Sequence, residues 1–352
     1  TTRPHFHCLD TLRGVAALLV AIFHLPGLQV GFAGYVWVDF FLVLSGFVLA
    51  HSYLYRESSI GKWEFAVRRF ARLWPMHVVA LFVTFGAISY PMNGVFFTEA
   101  GSNWHNSWTT LVQNLTLTHN IGLPPNGPHV ESWNFPSWSI SVEFWVNILF
   151  ILFITKRTRS VGLVLLAALG LGGILLESGS LESHNENLWP GLNSGMVRGI
   201  SSFVLGIVSY RLYLTYRDRT VSRAIATLVE ILSIGVVTLF LYAAHWGAPQ
   251  WELLAPFAFT LIVPFMACER GWFSQACVPL RHLGAISYSV YLNHLGIWIL
   301  FAHPSISQHF NTTALIAVEI LALLIYSHFT FQYVEKPSQR FLLKRLLPKR
   351  AG

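Results

Sequence analysis

Charged residues are scarce in this sequence. Only 11% of its 352 residues are Asp, Glu, Lys or Arg and 54% are hydrophobic, whereas a soluble domain carries about 25% charged residues. Water is therefore not its only solvent, and a mean hydropathy of +0.52 agrees. Cysteine is nearly absent. The three that occur, Cys8, Cys268 and Cys277, fall near segment ends, which excludes a disulfide framework. There is no low-complexity tract, internal repeat or second soluble region, so a single domain over 1–352 with no fused soluble domain is expected. The formal charge of +7 would suggest a nucleic-acid partner in a soluble protein. Here the basic residues sit in short loops between apolar segments, which points to membrane topology and away from nucleic acid.

A bilayer span needs about 20 mostly apolar residues. Segments of that kind lie near 11–27, 34–54, 73–92, 138–155, 160–176, 196–214, 224–244, 251–268, 283–302 and 312–334. The fold expected is all-α, a polytopic integral membrane helix bundle of about ten transmembrane helices. The first segment holds Arg13 and His24 and lacks a small-residue cleavage site, so it reads as a span and not as a removable signal peptide. Loop charges alternate. Arg56, Lys62, Arg68, Arg69 and Arg72 follow the second segment, Lys156, Arg157 and Arg159 the fourth, and Arg217, Arg219 and Arg223 the sixth. The 92–137 and 177–195 connections contain no Lys or Arg. The positive-inside rule then puts both termini in the cytoplasm of a multi-pass protein, with a bacterial inner membrane as the expected location and membrane lipid as a partner. The 92–137 connection is too long for a turn. With Trp104, Trp108, Trp133, Pro124, Pro125 and Pro136 it reads as an ordered external loop, and loops of that length are usually functional. Its stretch 107–121 is apolar enough for an interfacial helix.

Ionisable groups within spans are costly and each is a functional candidate. Arg13 and His24 are eleven residues apart, close to three helical turns, so they share one face about 16 Å apart along the axis. Both could simply reach for headgroups. Asp39 in GYVWVDFFLVLSGF and Glu143 in PSWSISVEFW reckon to the same outer depth as His24. Two carboxylates and an imidazole at one level are either a structural polar cluster or a general base with its orienting acid. On the inner side FAVRRFARLWP supplies Arg68, Arg69 and Arg72. Arg69 and Arg72, three apart on a helix, share a face and can grip one anionic group, although topology signalling also explains such a cluster. Together with Arg13 they suit a phosphorylated ligand. Asn293, His294, Trp138 and Arg198 are further candidates for contact with substrate, interhelical hydrogen bonding being the alternative for the polar pair. Arg198 in particular requires a counter-ion.

These residues resemble the motifs of the membrane acyltransferase type 3 family, integral membrane O-acyltransferases that modify polysaccharides, lipid-linked sugars and small molecules. LDTLRGVAALLVAIFHL is similar to its Arg-ten-residues-His signature and Arg69-x-x-Arg72 to its Arg-x-x-Arg motif. VDFFLVLSGF, SWSISVEFW, SYSVYLNH and the late VEKPSQR follow in the family's order across nearly the whole chain. The resemblance implies a cytoplasmic acyl-coenzyme A donor, usually acetyl-CoA, with phosphates held by Arg69 and Arg72, supported by Arg13, and with His24 as catalytic base. It implies no metal. Two departures stand out: Phe144 occupies a position where many members carry a second carboxylate, and His77 one where an aromatic residue is commoner.

The function expected is transfer of an acyl group, acetyl first, from acyl-CoA to a hydroxyl of a glycan or lipid-linked sugar acceptor, with Glu143 assisting His24 and Asp39 either catalytic or structural. A covalent acyl-histidine stays open beside direct attack. The rival is a transporter or flippase for a polar or anionic substrate, since the same intramembrane charges build transport pathways. Transporters commonly show internal symmetry, which is not found. The acceptor and the oligomeric state are not specified by the sequence.

Overall fold

The computed structural model describes residues 5–26, 28, 33–55, 60–89, 108–123, 133–189, 192–247 and 249–347. Within them the helices are α1 (His7–Phe23), α2 (Trp37–Leu49), α3 (Lys62–Ser89), α4 (Trp108–Leu115), α5 (Trp138–Phe153), α6 (Ser160–Glu177) and α7 (Ser194–Tyr216). There follow α8 (Arg223–His245), α9 (Ala255–Cys268), α10 (Trp272–Cys277), α11 (His282–Ala302), α12 (Pro304–Ser307), α13 (Thr312–Thr330) and α14 (Lys336–Leu346). A small antiparallel hairpin, β1 (Asn187–Trp189) with β2 (Leu192–Asn193), is the one departure from an all-α fold among the described residues.

Eight helical stretches are long and apolar enough to cross a bilayer: Gly34–Leu54, Lys62–Ile88, Phe135–Phe153, Ser160–Glu177, Arg223–Ala243, Gln250–Ala267, His282–Ala302 and Thr312–Leu346. Each coincides with one expected segment. The two expected segments outside this set are α1, with 17 residues and so about 25 Å of helix, and the 23-residue α7, which carries Arg198 and Arg211. The chain is a multi-pass helical membrane protein. A helix satisfies its backbone polar groups internally, as hydrocarbon demands.

Burial divides the bundle into a rim and a centre. Leu165, Leu169 and Leu176 on α6, Leu228, Leu232 and Leu239 on α8, and Leu321 and Ile325 on α13 are exposed, as a lipid-facing surface requires. Most of α2, α7 and α11 is buried. Small residues let these central helices approach closely, which is how packing is gained where the hydrophobic effect is weak. A Cβ on Gly46 of α2 would lie 2.1 Å from the Phe203 carbonyl oxygen, and one on Gly206 of α7 would lie 2.0 Å from that of Val43. Between α1 and α11 a Cβ on Gly284 would lie 2.1 Å from the Asp10 carbonyl oxygen. That close approach brings Arg13 against the first turn of α11.

One boundary differs from expectation in a way that moves the site. The sequence places the third span at 73–92 with its arginines as a flank, but the backbone runs as one 28-residue helix from Lys62. The stretch is rich in good helix formers, and Phe65, Val67, Ala71 and Leu73 are buried. Arg69 and Arg72 therefore lie about 10 and 15 Å inside the helix. The interfacial helix expected in 107–121 is the eight-residue α4. The segment after it is pinned to the bundle: Trp74 Nε1 donates to the Leu115 carbonyl at 2.8 Å, and Ser141 Oγ and Trp145 Nε1 donate to that of Leu117 at 2.7 and 2.8 Å. Trp104, Pro124 and Pro125 of the expected loop lie outside the described residues, as does Arg56.

Candidate active site

Arg13 of α1, Arg69 and Arg72 of α3, Glu143 of α5, and Tyr288 and Tyr291 of α11 line one cavity of about 130 Å³. Each arginine is pre-oriented by protein partners. Arg13 donates from Nε to Ser287 Oγ at 3.0 Å and from Nη2 to the Gly284 carbonyl at 2.6 Å, with Asp10 at 3.2 Å. Arg69 Nη2 donates to Glu143 at 2.7 Å, and Ser45 Oγ donates to the same carboxylate oxygen at 3.2 Å. Arg72 Nη1 donates to Glu335 and its guanidinium sits over the Tyr288 ring at 5.6 Å. A guanidinium has five N–H donors, so these pairs fix the forks while leaving donors over. Arg69 Nε is buried with no partner in the structure.

His24 caps α1 at the opposite end of that helix. Its Nδ1 is 2.9 Å from the Val20 carbonyl oxygen, so Nδ1 carries the hydrogen and Nε2 keeps its lone pair, the tautomer a general base needs. Its ring lies 5.1 Å from that of His294 and 6.1 Å from that of Phe135, an exposed aromatic. His294 in turn is 6.0 Å from Tyr291, so the imidazoles stand next to a residue that lines the cavity.

Two of the three groups that share a reckoned depth have arginine partners of their own. Asp39 is fully buried and bound by Arg198: Nε lies 3.2 and 3.1 Å from its two oxygens and Nη2 2.6 Å from Oδ2, while Ser202 Oγ donates at 2.7 Å. The remaining Arg198 donors serve the Tyr35 and Leu181 carbonyls. This is a closed structural pair joining α2, α7 and the segment before β1. Neither residue lines the cavity. Glu143 is committed to Arg69, and the pair lines the cavity. Equal depth does not mean equal bearing: α5 turns Glu143 toward α3, and the long α3 brings Arg69 up to meet it.

The other candidates separate in the same way. Arg68 leaves the cavity and pairs with Glu64 on its own helix at 2.6 Å. Trp138 is buried, stacked on His184 at 4.4 Å and lying under Arg198 at 5.2 Å, so its ring is already engaged. Asn293 donates to Thr330 Oγ1 at 3.3 Å, an interhelical bond between α11 and α13. Sequence reasoning missed Glu335, which holds Arg72 and also accepts from Ser289 Oγ at 2.9 Å. It missed Ser45, Ser287, Tyr288 and Tyr291 as well. Their signal was present, since they fall within VDFFLVLSGF, SYSVYLNH and VEKPSQR.

The family described as acyltransferase domain matches residues 6–330. The protein BcsY of Komagataeibacter xylinus, whose name calls it a membrane-bound transacylase, is 26% identical over 307 residues, covering 81% of this chain and 71% of its own length. The peptidoglycan O-acetyltransferase OatA of Listeria monocytogenes is 22% identical over 363 residues, 96% of this chain and 56% of its own. The acyltransferase MdmB of Streptomyces mycarofaciens is 33% identical over 149 residues, 39% of this chain and 36% of its own. The chain thus spans just over half the length of the peptidoglycan enzyme. No solved structure matches it.

Proposed function

The chain belongs to the acyltransferase family, and from that premise we propose that it is an O-acyltransferase that moves an acyl group, acetyl first, from cytoplasmic acyl-CoA to a hydroxyl of a glycan or lipid-linked sugar. The observation that carries this reading is the convergence of Arg13, Arg69 and Arg72 on one cavity that Tyr291 also lines, with the Tyr291 ring 6.0 Å from that of His294 and His294 5.1 Å from His24. The phosphates of the donor stay with the arginines at the mouth, and the pantetheine arm runs through the narrow interior toward His24. The acceptor arrives from outside past Phe135. His24 Nε2 takes the proton of the acceptor hydroxyl, and the oxygen attacks the thioester carbonyl. The carbon–sulfur bond breaks as the ester forms, and the departing thiolate takes the proton from the imidazolium. Both termini are cytoplasmic on this reading. Reporters fused after Lys156 and Arg219 then read as cytoplasmic and one at Asn120 as external, and a cytoplasmic reading at Asn120 refutes the topology.

Binding and turnover separate the base from a donor ligand. His24→Ala retains coenzyme A affinity and loses turnover by about 10²–10⁴-fold, because general-base assistance acts in the transition state. Loss of coenzyme A binding with high residual turnover at saturating donor overturns the assignment.

A further inference from the structure

A histidine base becomes a cation when it takes a proton, and inside a membrane protein that cation needs a partner. A carboxylate is the usual one. Here both candidates are already paired, Asp39 with Arg198 and Glu143 with Arg69, and Nδ1 of His24 faces only the neutral Val20 carbonyl. His294, 0% exposed, stands in the vacant role. Its Nδ1 is 2.6 Å from the Tyr291 carbonyl oxygen, which fixes the hydrogen on Nδ1 and leaves a lone pair on Nε2. That Nε2 is buried without a hydrogen-bond partner. A buried polar atom left unpaired is costly, so its retention calls for a use in some other state of the site.

The separation of the two rings supplies that use. The centroids are 5.1 Å apart and the planes differ by 33°. No hydrogen bond joins the two rings in this state, but a ring nitrogen lies about 1.2 Å from its centroid, so turning the rings edge to edge at this separation brings two nitrogens to about hydrogen-bond length. In the resting tautomers the two Nε2 lone pairs have nothing to share. Once His24 is protonated, its Nε2–H has an acceptor. Trp298, about one helical turn beyond His294 on α11, donates from Nε1 to the Ala21 carbonyl at 2.9 Å, and this tie holds α11 and α1 in register.

We propose that His294 is the positioning residue for His24, its Nε2 accepting the hydrogen bond of the imidazolium and holding the proton until the thiolate takes it. This rests on His24 being the base. Three substitutions test it, with turnover and coenzyme A affinity measured on the detergent-purified full chain. The amide of glutamine reaches about as far as Nε2 and that of asparagine about as far as Nδ1. His294→Phe is expected to lower kcat by about 10–100-fold with donor affinity unchanged, His294→Gln to recover most of that loss, and His294→Asn to recover little. Should Asn rescue as well as Gln, the residue acts through the Tyr291 carbonyl as a structural tie and the proposal falls. Parent-like turnover in His294→Phe overturns it too. His24→Ala measured alongside keeps the two ideas apart: if it is inactive while His294→Phe is active, only the role of His294 is lost, and if it is itself active, the base assignment fails.

Discussion

Replacing Asp39 with alanine strips a fully buried guanidinium of its counter-ion. Both side chains of the Asp39–Arg198 pair are 0% exposed, so no water takes the place of the three hydrogen bonds from Arg198 and the one from Ser202. Breaking a buried pair from one side costs about 3–5 kcal/mol, a fifth or more of the 5–15 kcal/mol typical of a folded domain. Removing both charges is different, since a buried pair replaced by apolar groups is often neutral. Asp39→Leu with Arg198→Met should thus regain part of the loss. The remainder reflects the Tyr35 and Leu181 carbonyls that Arg198 also serves, about 1–3 kcal/mol for each unpaired group. The assay is thermal unfolding of detergent-purified protein, with acyl transfer measured on the same preparations. The single variant should be poorly stable and the double variant stable and active. An Asp39→Ala protein as stable as the parent but inactive, or a stable and inactive double variant, refutes the structural assignment and returns Asp39 to the chemistry.

Removing the charge of both Arg69 and Arg72 should weaken coenzyme A binding by about 10–100-fold for each arginine replaced, at about 1.5–3 kcal/mol per forked phosphate bond. Unchanged affinity in Arg69→Ala, Arg72→Ala assigns the pair to topology and to holding Glu143 and Glu335. In the segment that follows α4, burial first and the nearby His77 second push the His119 imidazole down to about 3. The unfolded chain takes a proton near pH 6.5 that the folded chain refuses, so the stability this group contributes is complete above that pH and is lost as pH falls toward 3, by about 1.4 kcal/mol per pH unit. Thermal midpoints measured at pH 7 and pH 5 should show a drop that is smaller in His119→Gln, and an equal drop in the variant removes His119 from the cause.

The helices were legible because a bilayer demands length and apolarity, and these are read along the chain. Even α7, whose Arg198 and Arg211 depress its hydropathy, announced itself by spacing between two loops of opposite character. The arginine grouping was legible too, because a spacing of three on a helix fixes a shared face: Arg69 and Arg72 line the cavity, and Arg68, one residue off that face, turns to Glu64. What could not be read is rotation about each helix axis. Depth gave His24, Asp39 and Glu143 one common coordinate, and only packing supplies the second. That packing is set by close approaches such as Gly46 to Phe203 and Gly284 to Asp10, between residues far apart in the chain. Glu335 was hidden for the same reason, lying 263 positions from the arginine it holds.

The departure at Phe144 can be weighed by that second coordinate. A second carboxylate after Glu143 would matter if it entered the cavity or approached His24. Phe144 does neither: it is not among the residues lining the cavity, and its ring lies 6.4 Å from that of Phe70, edge to face, between α5 and α3. Successive residues on a helix point about 100° apart, so with Glu143 turned to Arg69 its neighbour must face elsewhere. Phe70 likewise follows Arg69, and the two aromatic residues meet one step beyond the ion pair. The exchange of an acid for a phenylalanine therefore changes what lies behind the Arg69–Glu143 pair and leaves the charges that face the cavity as they were. Packing there should strengthen the pair by keeping water from its outer side, since a drier surrounding raises the weight of each charge–charge interaction.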